Sequence, residues 1–62
     1  MENNKYGALN IGDVVITIKY GTGTIADRWM KDDVWKYKVQ LTDNRGAVYE
    51  LTNDDIHEML IG

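Results

Sequence analysis

The chain has 62 residues and a formal net charge of −3, with ten acids against seven Lys and Arg and no cysteine, proline or phenylalanine. A chain this short holds one domain and buries only roughly 60% of the surface its unfolded form exposes, so close packing must stabilise it. The composition excludes a disulfide staple and a zinc site built on His and Cys, since His57 is the sole histidine. It also argues against a general nucleic-acid coat, which needs an excess of cations.

No stretch approaches eighteen apolar residues, and Met1–Lys5 has no apolar run behind it. Neither a spanning helix nor a signal peptide is predicted, and a cytoplasmic, reducing compartment is expected. A start at Met1 with no tag fits a complete gene product. Residues 1–10 are polar and Asn-rich and are expected to be a flexible N-terminal segment; residues 11–62 are expected to form the domain.

From Asp13 to Tyr20 the run Val14-Val15-Ile16-Thr17-Ile18 is β-branched throughout, which predicts a strand. Both of its faces are apolar, so the pattern leaves open which one looks inward. Gly21-Thr22-Gly23 is predicted to turn or bulge, and Thr24–Met30 to be a second strand. On it Ile25 and Trp29 share one face, with Thr24, Ala26 and Arg28 on the other. Lys31-Asp32-Asp33 is a polar turn.

The clearest signal follows. Trp35, Tyr37, Val39 and Leu41 alternate with Lys36, Lys38 and Gln40, the period of a strand with one buried and one wet face. Thr42–Gly46 is a polar hairpin connection, and Ala47–Leu51 a fourth strand with Tyr49 and Leu51 on one face. Thr52-Asn53-Asp54-Asp55 then has the form of a helix start, with Thr52 capping and Asp55 at the third helical position. Ile56, Met59 and Leu60 would share one face of a short C-terminal helix of about two turns.

Gly21-Thr22-Gly23-Thr24-Ile25-Ala26 also spells a dinucleotide-binding turn. Such a turn must feed a helix between parallel, doubly buried strands, whereas Thr24–Trp29 is poor in helix formers and the strand at 35–41 is half wet. The glycines are therefore assigned to turning and twisting the chain. The predicted fold is mainly β: a small SH3-like or Tudor-like antiparallel barrel of four to five strands with a short C-terminal helix.

Gly12, Asp13, Val14, Val15, Gly21, Gly23, Ile25, Tyr37, Val39, Leu41, Val48, Tyr49 and Ile56 form a pattern that resembles the RNA polymerase-interacting domain of CarD-type transcription regulators and of the transcription-repair coupling factor. The likeness runs from about Ile11 to Ile56. Tyr20-Gly21 stands where that family commonly has His-Gly, Leu51 where it often has proline, and the helical DNA-binding domain that accompanies the barrel in CarD has no counterpart. The resemblance implies a Tudor-like barrel that docks on bacterial RNA polymerase, on its β subunit, by an exposed strand edge and the adjoining face. Without the DNA-binding domain, the implied role is that of a competitor or modulator of transcription, such as a phage or mobile element carries.

Arg28 on the second strand is expected to join Lys36 and Lys38 on the outer face of one hairpin, while Glu50, Asp54, Asp55 and Glu58 gather elsewhere. A solvated strand face and a docking surface for an acidic partner or a phosphate backbone are both open readings of that basic set. Trp29, Trp35, Tyr37 and Tyr49 are expected to serve as core, the alternative being a cage for a methylated amine. Trp29 and Trp35 flank one turn and are candidate anchors. There is no serine or cysteine, and no paired carboxylates with a base, so no catalyst, cofactor or metal is expected. The expected function is a small protein-binding module with partner-binding residues Arg28, Trp29, Lys36 and Lys38. The alternative is direct nucleic-acid binding through Arg28, Lys36, Lys38 and Arg45, helped by stacking on Trp29 or Trp35.

Overall fold

A computed structural model describes residues 9–60. Five strands form one antiparallel sheet: β1 (Val14–Thr17), β2 (Gly21–Lys31), β3 (Val34–Leu41), β4 (Val48–Thr52) and β5 (Ile56–Leu60). Their order is β4-β3-β2-β1-β5. The two outermost strands, β4 and β5, are consecutive in the chain and joined by the three-residue 3-10 turn Asn53–Asp55. A link that short forces the sheet to curl until its edges approach each other. The described residues show no β4–β5 ladder, so this is a barrel in the loose sense only. The mainly β architecture expected from the sequence is present and is compatible with an SH3-like form.

Every strand gives the core at least one side chain. Val15 comes from β1, Ile25 from β2, Tyr37 and Val39 from β3, Leu51 from β4 and Ile56 from β5. Each fully buried aliphatic or aromatic group of this kind contributes about 1.5–3 kcal/mol. Leu9, at 1% exposure, completes the set. Of the segment expected to be flexible, residues 1–8 lie outside the described residues; Leu9 and Asn10 are part of the folded body. Val15 and Thr17 are the inward residues of β1, which settles the question its doubly apolar pattern left open.

β1 ends earlier than its β-branched run suggests because Thr17 closes a turn. Its hydroxyl donates to the Gly21 carbonyl (2.8 Å) and accepts the Tyr20 N–H (2.9 Å). Gly21, at φ +85°, starts β2, so the expected turn at 21–23 falls at 18–20 instead. Gly23 lies within β2 for a different reason: a Cβ there would stand 2.6 Å from Val39 Cγ1 and 2.8 Å from the Gln40 carbonyl. One glycine supplies conformation and the other supplies room. No helix follows them, only strand.

The expected two-turn C-terminal helix is replaced by the 3-10 turn and β5. The start signal is real, since the Asp55 carboxylate accepts the Thr52 N–H at 3.0 Å. Two turns of isolated helix are marginal in water, however, whereas β1 offers a free edge of backbone groups. β5 pairs with it from Val14↔Leu60 to Thr17↔Ile56, with an irregularity near His57. Ile56 is buried in either geometry, which is why the apolar spacing did not separate them.

Candidate functional site

The β2–β3 hairpin projects from the body. Its ladder runs from Gly23↔Leu41 to Lys31↔Val34, but β1 pairs with β2 only as far as Thr24, and β4 pairs with β3 only as far as Lys36. The molecule is accordingly elongated, 33 × 20 × 19 Å. Asp32 and Asp33 close the hairpin at φ 55° and 65°, the positive pair that a two-residue type I′ turn requires.

A bulge decides what this hairpin displays. Ile25 pairs with Val39 and Asp27 with Lys38, so Ala26 is an extra residue and the alternation changes phase there. Ile25 faces inward as expected, but Trp29 does not share its side. Arg28 stands opposite Tyr37 and Met30 opposite Trp35, on the inward side, while Asp27 and Trp29 face out. The expected grouping of Arg28 with Lys36 and Lys38 is therefore broken.

Arg28 ties the N-terminal segment to the hairpin. Its Nη1 donates to the Leu9 carbonyl (2.9 Å) and to Asn10 Oδ1 (3.0 Å), and its guanidinium lies 5.2 Å from the centre of the Trp35 ring. Tyr37 works from the other side of Leu9. Its hydroxyl accepts the Leu9 N–H (3.0 Å) and donates to Asn53 Oδ1 (2.9 Å), so a buried phenol links three distant parts of the chain.

The outward face of the hairpin carries two cross-strand rows. Trp29 lies opposite Lys36, which lies opposite Thr52; Asp27 lies opposite Lys38, which lies opposite Glu50. Trp29 and Lys36 are half-buried and Lys38 is exposed. Glu50 therefore sits beside the basic pair and not at a remote acidic end, and the face is nearly balanced in charge. Toward the tip, Val34 is exposed on this side, and Met30, on the other side, is 52% exposed.

Of the four large aromatics expected as core, Tyr37 is buried and Trp35 and Tyr49 pack against the core, while Trp29 is on the outer side. They do not converge on one cavity. Tyr20, which the sequence reading left without a role, stacks on Tyr49 with centroids 3.9 Å apart and planes 5° from parallel. Tyr20 borders a cleft of about 220 Å³ lined also by Lys19, Glu50, Leu51 and Asp55. Arg45 lines a second cleft with Thr24, Gln40, Leu41 and Thr42, away from Lys36 and Lys38. Among the described residues no group of three or more His, Cys, Asp or Glu could hold a metal ion. Nor is any helix there long and apolar enough to cross a membrane.

These features define a small curled sheet with a projecting hairpin. No family model, curated protein or solved structure matches the chain.

Proposed function

We propose that the protein is a non-catalytic, cytoplasmic binding module that engages a protein partner with the outer side of its projecting hairpin. One observation carries this reading: the bulge at Ala26 turns Trp29 outward beside Lys36, at the point where β4 ends and the hairpin runs on toward its tip without β1 or β4 as a neighbour. A rigid indole beside a cation, with apolar Val34 toward the tip on the same side, has the composition of an interface anchor. Lys36 and Lys38 steer the encounter and Trp29 supplies the buried contact. Arg28 is removed from the contact set, because it holds Leu9 and Asn10.

The partner follows from the resemblance to the CarD-type domain: the β subunit of bacterial RNA polymerase, with modulation of transcription as the result. A pulldown from bacterial lysate tests it. The expected result is recovery of the β subunit by the native chain and its loss with Trp29→Ala and Lys36→Glu. Recovery of another protein, lost with the same variants, would keep the docking face and discard the polymerase. Binding unaffected by both variants would discard the face. Direct nucleic-acid binding is the competing reading, and the Asp27–Lys38–Glu50 row weighs against it because acids flank the cation that phosphates would need. Retardation of DNA or RNA in a low-salt gel shift, abolished by Lys36→Glu, would reverse that ranking.

A further inference from the structure

We propose that the cleft between the β1–β2 turn and β4 receives an arginine side chain of a partner protein, a contact that shares only Glu50 with the outer face of the hairpin. Its wall is the Tyr20 ring, held by stacking on Tyr49, and its rim carries Glu50 and Asp55 against a single ammonium, Lys19. Two carboxylates beside an aromatic ring select a cation. The parallel stack selects its shape. Each ring spends one face on the other, so these two rings do not enclose a rounded ammonium from several sides. Tyr20 remains 39% exposed, and a planar group can lie along it. A guanidinium both stacks on an aromatic face and presents a fork of N–H donors to a carboxylate, whereas Lys offers only a point charge.

The rim is held in place before any ligand arrives. Asp55 Oδ2 accepts the Thr52 N–H (3.0 Å), which fixes that carboxylate at the end of β4. The Asp55 carbonyl accepts the Ile18 N–H (2.9 Å), and the Thr17 hydroxyl accepts the Tyr20 N–H (2.9 Å), so the turn bearing Tyr20 is anchored on both sides. A site built on such braced groups loses little freedom on binding. The native neighbours compete weakly: Lys19 and Lys38, the latter opposite Glu50, are both exposed, and exposed ion pairs hold loosely.

The test is an NMR titration of the ¹⁵N-labelled full chain with Nα-acetyl-arginine amide, and with the neutral citrulline counterpart of the same shape. Saturable shifts are expected at the amides of Tyr20, Glu50, Leu51 and Asp55, with millimolar affinity. Citrulline, and the Glu50→Gln protein with the arginine probe, should each bind about tenfold or more weakly, as loss of a charge-assisted pair requires. Glu50 is exposed, so the rest of the Glu50→Gln spectrum should be unchanged and reports an intact fold. A Tyr20→Leu protein should lose the shifts as well. Equal binding of citrulline, shifts centred on other residues, or no shift in the native protein would overturn the proposal. None of these outcomes depends on the hairpin face, whose own test is the pulldown.

Discussion

The two halves of β2 follow the same alternation in opposite phase. From Gly21 to Ile25 the odd-numbered residues Gly23 and Ile25 face the core, and at Gly23 and Thr24 the strand is paired on both sides. From Asp27 to Lys31 the even-numbered Arg28 and Met30 face inward, and β3 is the sole paired neighbour. The first half is built for packing: a missing Cβ at Gly23 lets Val39 close over it. The second half is built for display, with a latch on one side and an indole on the other. One inserted residue, Ala26, separates the two roles. A strand that reads as a single element is two elements joined by a bulge.

The sharpest way to break the first half is to fill its gap. Gly23→Ala should cost about 2–3 kcal/mol, because the new methyl meets a stiff β-branched side chain and a backbone carbonyl. Chemical denaturation of the purified variant measures it; a loss below about 0.5 kcal/mol would mean that β2 and β3 separate more easily than the ladder implies. The second half has two sides, and they should respond differently. Arg28→Met should cost about 2 kcal/mol by stranding the Leu9 carbonyl and removing the contact with Trp35. Trp29→Ala, one residue along, should cost only about 0.2–1 kcal/mol, the worth of a cross-strand pair. Equal losses from the two would mean that the phase change at Ala26 does not divide latch from display. The smallest effect lies at the tip, where Asp33→Gly should stabilise by about 0.5 kcal/mol by relieving a positive φ in a type I′ turn. A thermal melt should show a slightly raised midpoint and unchanged partner recovery.

β3 was legible because its alternation is unbroken from Trp35 to Leu41 and one face of it meets charge. Tyr37 and Val39 are buried as the pattern requires. The Thr52–Asp55 start signal was legible too, as a local hydrogen bond that operates in a single 3-10 turn as readily as in a helix. What followed it was not, because the choice between helix and strand rests on the open edge of β1, which no local spacing encodes. The bulge left no mark either: Ala26 is neither glycine nor polar, and only the pairing with β3 reveals the extra residue. Its consequence fell on the site, where it exchanged Arg28 for Trp29 on the outer face. Leu9 was missed because Ala8, Leu9 and Ile11 follow neither a strand nor a helix period, and its burial depends on Tyr37 and Arg28, far along the chain. Tyr20 was missed for the same reason: its partner Tyr49 lies across the curl of the sheet.

The pairing of β1 with β5 sets an order of events during folding. β2 and β3 are joined by two residues and can zip together on the microsecond scale of about 1–10 μs typical of hairpins. β1 precedes them in the chain, yet its second neighbour is the last described strand, Ile56–Leu60. Until then Val15 and Ile25 lack the cover of Ile56, and the backbone edge of β1 stays bare. The long loop between β1 and β5 must close at an entropic cost before their contacts can repay it. The core is thus complete only once Ile56 is in place, and until then the edge of β1 is open to other strands.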